Sequence, residues 1–181
     1  MGKKGNIMKT TLRTALCLLL TLCLLLPLSS CGETYRDDLT AITACHAVKN
    51  ALPAGKGWSQ VSQGFINGSD WGEDFLDHLD KTSEHCILVS AESDMNIDEI
   101  GVFRVAKSSD VKEIEKFVKD YVSAKQIRMK SLLESYNTAE LPKLDCADVK
   151  VCGNYVLYTI LNATDTATAQ SAFETALTPE G

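Results

Sequence analysis

One seven-residue stretch, "IGVFRVA" at 100–106, restricts the fold more than any other part of the chain. Apolar side chains fall on both of its alternating sides, so a strand built from it has no face for water and belongs inside a sheet. A second apolar strand candidate, "CILVSA" at 86–91, precedes it across a polar loop. Residues 147–152 and 155–161 form another pair, separated by Gly153-Asn154, a two-residue hairpin signal. Strands joined by short connections pair antiparallel.

Helical patterns fill the intervals. Residues 37–52 place Leu39, Ile42, Cys45 or His46, and Leu52 near one face, and Pro53 stops the run. Residues 53–72 hold five glycines and both tryptophans and read as irregular, with Asp70 and Glu73 as a capping box for a short helix over 71–79. Asp110 and Glu113 suggest a second capping box. The helix behind it runs to Tyr136 with a stripe of Val111, Ile114, Val118, Tyr121, Met129, Leu132 and Tyr136. Glu115 and Lys119 form an i, i+4 pair on its wet side. Thr164 or Asp165 caps a last helix that buries Ala169, Ala172, Phe173, Ala176 and Leu177. The expected order is α-α-β-β-α-β-β-α, a two-layer α+β domain whose four-stranded antiparallel sheet is covered by helices on one face.

The first thirty residues have a different character. Lys3, Lys4, Lys9 and Arg13 precede an apolar run, Ala15 to Leu26, of 12 residues. That is the layout of a secretory signal and is short of the ~20 residues that cross a bilayer core. Met8 serves as a start as well as Met1. The run ends in Leu28-Ser29-Ser30-Cys31, which resembles a bacterial lipobox. Small residues let a peptidase reach the backbone, and the Cys31 sulfur takes a diacylglyceryl group as a thioether. The alternative is an ordinary signal peptide with a chance cysteine. Two acyl chains suffice for stable anchoring at roughly 0.8 kcal/mol per buried methylene.

The expected organisation is therefore a removed leader at 1–30, a lipidated cysteine and tether at 31–36, and one domain at 37–181. Without the leader, 14 basic residues stand against 24 acidic ones, a net charge of −10. So acidic a domain has no electrostatic footprint for nucleic acid and is repelled by anionic lipid. Residues 32–36 reach about 17 Å, at ~3.4 Å each, which keeps the domain low on the extracytoplasmic face of the cell membrane. Cys45, Cys86, Cys146 and Cys152 remain, an even number that permits three disulfide connectivities or four free thiols. Cys146 and Cys152, on one side of one straight strand, cannot pair with each other.

At "DEIGVFRV" (98–105) and "GNYVLYTI" (153–160) the chain resembles the small lipoproteins of Gram-positive bacteria that carry the domain of unknown function numbered 4358. Asp98-Glu99-Ile100, Phe103-Arg104, Tyr136 and Gly153-Asn154-Tyr155-Val156 stand in that family's order, and the likeness spans about 37–177. The resemblance implies fold and location. The family has no assigned activity, so it supplies no catalytic residues.

No constellation in the sequence points to catalysis. Cys45-His46 and His85-Cys86 are adjacent pairs whose side chains diverge, without the C-x-x-C or H-x-x-x-H seed of a zinc site. "NGSDWGED" at 67–74 fails the spacing of a calcium loop. Asp98 and Glu99 read as solvated or capping carboxylates at a strand entrance. Trp58, Phe65, Trp71 and Phe75 are the binding-site candidates: they form either an exposed aromatic patch or a lid folded onto the core, the latter gaining ~2 kcal/mol or more per side chain. The sequence thus leads to a non-enzymatic module that binds a protein or other envelope component, with no cofactor and no metal. The competing reading is a small envelope hydrolase or metal-dependent enzyme with a site near His78 and His85. A small-molecule receptor would need a second domain to close on its ligand.

Overall fold

A computed structural model describes residues 34–61, 71, 75–92 and 95–179. The leader, Cys31 and Phe65, like the Asp70–Glu73 capping box, lie outside the described residues. Among the described residues the α-helices and strands follow in the order α1 (Ala41–Ala51), β1 (Trp58–Gln60), α2 (Phe75–Leu79), β2 (Thr82–Ser90), β3 (Glu99–Val105), α3 (Val111–Tyr136), α4 (Leu141–Asp145), β4 (Asp148–Cys152), β5 (Tyr155–Ile160) and α5 (Ala163–Leu177). The sheet is antiparallel throughout, in the order β1-β2-β3-β5-β4.

The α+β class and the antiparallel pairing match the sequence reading, and β3 is central as its two-sided apolarity requires. Two points differ. A fifth strand exists: Trp58–Gln60 pairs with Leu88–Ser90 inside the stretch read as irregular. With three residues it is too short for alternation to show in sequence.

The second difference is the layering. Along β3, Ile100 and Val102 face one side, where Cys86, Leu88, Tyr155 and Leu157 join α1 and α5. Phe103 and Val105 face the other, where Ile87, Val156, Tyr158 and Ile160 join α3, Trp71, Phe75 and Leu144. Helices therefore cover both faces, and the expectation of one covered face is overturned.

The helices form for local reasons. The Thr40 side chain caps α1 by accepting from the Thr43 N–H at 3.0 Å. The buried face is Ala41, Ala44, Cys45 and Val48, while Ile42 is 45% exposed and His46 faces solvent. The expected face was rotated because small alanines, not the larger isoleucine, let the helix approach the sheet. A 3-10 turn at Ser108–Asp110 leads into α3, and Asp110 makes no side-chain cap. Leu133 is buried on α3 in place of Leu132, and Tyr136 is 75% exposed. The Glu115–Lys119 pair is present at 2.5 Å. Asn162, rather than Thr164 or Asp165, caps α5 by accepting from the Asp165 N–H at 2.9 Å. On that helix Ala169, Phe173 and Leu177 are buried, and Ala172 and Ala176 are half-buried.

The chain joins the domain before α1. The Arg36 N–H donates to the Leu177 carbonyl at 2.9 Å, and Arg104 donates to the Asp37 carbonyl. The Tyr155 hydroxyl donates to the Leu39 carbonyl at 2.6 Å. Tyr35 lies against the β4–β5 turn, where a Cβ on Gly153 (φ +55°) would stand 3.0 Å from its Cβ. Residues 35–39 are thus pinned to the end of the sheet that holds the Gly153-Asn154 turn.

Candidate functional site

At the opposite end of the strands, Asp98 and Glu99 enter β3 with 3% and 2% of their surfaces exposed. They are buried, not solvated as their place at a strand entrance suggests. Burying a carboxylate is costly unless its charge and lone pairs are matched, so each must meet partners within the fold.

Glu99 lies on the α3 side. Its Oε1 accepts from the Tyr121 hydroxyl at 2.5 Å and the Tyr158 hydroxyl at 2.6 Å, and its Oε2 pairs with the Lys125 ammonium. Tyr121 and Lys125 are one turn apart on α3, so a single helix face delivers both. Tyr158 arrives from β5, directly opposite Gly101 in the register. The missing side chain at Gly101 is what admits its ring: a Cβ there would lie 2.7 Å from Cζ and 2.9 Å from Cδ1. Burial first, then the Glu99 charge, hold the Tyr158 phenol well above its ordinary pKa. It is a permanent donor at physiological pH.

Asp98 gathers the other cations. Lys56 lies 2.7 Å from Oδ2 and also 2.7 Å from Asp165 Oδ2 at the start of α5. Lys143 lies 2.6 Å from Asp98 Oδ1 and 2.7 Å from Glu140. Burial disfavours the Lys56 ammonium, but Asp165 and Asp98 more than offset it, and its pKa stays above the ordinary value. The Glu140 carboxylate also accepts the Ile97 N–H at 3.0 Å. Segments far apart in sequence thus converge on two neighbouring residues of β3.

A cleft of about 230 Å³ opens beside this network, lined by Asn96, Ile97, Asp98, Glu99, Lys125 and Arg128 among others. The Glu99 oxygens are taken by internal partners, Asp98 Oδ1 accepts no hydrogen bond beyond its ion pair with Lys143, and Tyr158 stays protonated, so the arrangement suits polar recognition more than proton transfer.

The aromatic candidates separate. Trp71 is 8% exposed and stacks on Tyr121 with centroids 3.5 Å apart, and Phe75 lies beside it at 5.3 Å. These two belong to the core lid and not to an exposed patch, because the second face of the sheet needs large apolar cover. Trp58 is half-buried on β1. One shielded and one partly accessible tryptophan should therefore give biphasic iodide quenching of fluorescence, and Trp71→Phe should remove the shielded component. Uniform quenching would contradict the stacking.

His78 and His85 do not meet. His78 stacks on Phe117 at 4.3 Å and lies 3.7 Å from Glu113, which also holds Lys81. His85 lines a separate cavity of about 370 Å³ with Asp80 and Glu84, and burial lowers its pKa. Glu84 there is tied to the Ala41 N–H at 2.8 Å. Among the described residues no group of three or more His, Cys, Asp or Glu is placed to hold a metal ion.

The fold and site define an α+β domain organised around a buried, charge-compensated carboxylate pair. The family model described as "Domain of unknown function (DUF4358)" matches residues 77–161. That stretch contains Asp98, Glu99, Gly101, Tyr121, Lys125, Lys143 and Tyr158, while α1, Lys56 and all of α5 fall outside it. No curated protein and no solved structure matches the chain. The Asp98–Glu99 network was missed in sequence, because its partners Lys56, Tyr121, Lys125, Lys143 and Tyr158 all lie on other elements.

Proposed function

We propose that this protein is a lipid-anchored, extracytoplasmic lipoprotein of the bacterial cell membrane, held through Cys31, and that it is a non-enzymatic binding module. On this reading it presents the Asp98–Glu99 cleft to an envelope component. The observation that carries it is the placement of two ends. Residues 35–39 are fixed at the Gly153-Asn154 end of the sheet, and the cleft is at the other.

Only residues 32–34 separate Cys31 from the first pinned residue, a reach of about 10 Å at ~3.4 Å per residue. A lipid on Cys31 then puts the hairpin end near the headgroups. The cleft stands a strand length away, roughly 20 Å at ~3.4 Å per residue, facing outward. The leader and its lipobox-like end support export and lipidation. No helix among the described residues is long and apolar enough to cross a membrane.

The tests are direct. Cys31→Ser should abolish acyl labelling and move the protein from the membrane to the soluble fraction. Spin labels on the anchored chain in vesicles should show lipid contact at Asn154 and none at Asn96. Equal lipid contact at both positions, with lipidation intact, would overturn the outward-facing cleft. The enzyme reading keeps one supporting observation, the cavity that His85 shares with Asp80 and Glu84. Loss of any hydrolytic activity in His85→Ala, with the fold unchanged, would favour it.

A further inference from the structure

Of the four cysteines in the domain, two come together. Cys45 on α1 and Cys86 on β2 lie at 0% and 1% exposure on the α1 side of the sheet, in the core cluster that also holds Cys152 farther along it. The juxtaposition follows from how α1 lies on the sheet. Its first N–H, at Ala41, is held by the Glu84 carboxylate of β2 at 2.8 Å. Four residues further along the helix advance about 6 Å, and two residues along the strand advance about 6.7 Å. Both steps return to the same facing side, which brings position 45 over position 86. The remaining cysteines are elsewhere: β4, with Cys152, is three strands from β2, roughly 14 Å at ~4.8 Å per strand. Cys146 lies just before β4 at the same edge.

We propose that Cys45 and Cys86 are a disulfide-forming pair that crosslinks α1 to β2 in the exported protein. The pairing rests on the geometry alone, and its occurrence in the cell rests on the extracytoplasmic location proposed above. Two S–H bonds break and one S–S bond forms. The S–S bond of a disulfide oxidant breaks in exchange, and the oxidant takes up the electron pair and both protons and leaves as two thiols. The hydrogen bond from Cys45 holds the Cys86 thiol below its ordinary pKa. The same bond, then burial, pushes Cys45 far up. Both sulfurs are closed off in the folded state, so the bond forms while the chain folds after export.

The test uses the full chain, unfolded in reductant and refolded in a glutathione redox buffer, then alkylated and digested. A linked Cys45–Cys86 peptide pair is expected, with Cys146 and Cys152 alkylated. Closing a loop of this length should raise Tm by roughly 10 °C over the reduced protein, a shift absent in Cys86→Ala. Alkylation of Cys45, Cys86, Cys146 and Cys152 alike, or a link that includes Cys146 or Cys152, would overturn the pairing and leave the location untouched. The same mapping on protein trapped with N-ethylmaleimide directly in the envelope should again give the linked pair. Free Cys45 and Cys86 there, on a chain that carries lipid, would overturn the bond's occurrence in the cell without touching the anchor.

Discussion

Glu99→Ala should destabilise the domain by about 3–5 kcal/mol, read as a lower urea midpoint with an unchanged slope. The substitution leaves the Lys125 ammonium, 13% exposed, without its carboxylate, and removes the acceptor of both Tyr121 and Tyr158. A buried hydroxyl that loses its acceptor costs about 1–3 kcal/mol on its own, so the charge and the hydroxyls act together. Glu99→Gln preserves shape and one acceptor oxygen but not charge, and should fall between wild type and alanine. Adding Lys125→Met to Glu99→Ala should recover part of the loss, because the uncompensated cation is then gone. A cost under about 1 kcal/mol for Glu99→Ala would mean that water reaches this carboxylate and the network is not the centre of the fold.

How much of this was legible in sequence depends on whether the signal was periodic. The strands at 86–91, 100–106, 147–152 and 155–161 announce themselves by apolar runs and the Gly153-Asn154 turn, and the structure keeps all four. The cover on both faces was also written in "IGVFRVA", whose two apolar sides need two partners. The sequence reading assigned helices to one face because helix stripes do not say which side of a sheet they meet. Ile42 and Tyr136 fell on expected apolar stripes and are exposed, since a helix can roll by one position when alanine or Leu133 packs more closely. β1 is three residues and has no period at all.

The site was less legible for a physical reason. A buried acid and a solvated acid have the same letter, and burial of Asp98 and Glu99 depends on Lys56, Tyr121, Lys125, Lys143 and Tyr158, spread over a hundred residues. No local pattern links them. The Cys45–Cys86 contact is hidden in the same way, by a helix-to-strand register that emerges only once Ala41 is seated on Glu84.

Gly101→Ala is expected to cost about 3 kcal/mol or more, out of proportion to one methyl group. The backbone there is ordinary strand, so the reason is not conformational freedom but space. The new Cβ would enter the ring of Tyr158, less than 3 Å from Cζ and Cδ1. That ring cannot swing away at small cost. Its hydroxyl is held by Glu99, and Tyr121 and Trp71 pack on it edge-on with centroids 5.5 and 5.7 Å away. Displacing it therefore breaks a buried hydrogen bond and disturbs the aromatic cluster under α3 as well. Tyr158→Phe alone keeps the ring and loses one hydroxyl, about 1–2 kcal/mol, and would not relieve the clash. Tyr158→Val removes the ring that the methyl meets, so Gly101→Ala should be far less costly in that background than in wild type. Strong non-additivity of this pair would locate the cost in the ring contact, whereas simple addition would show that glycine is needed at 101 for some other reason.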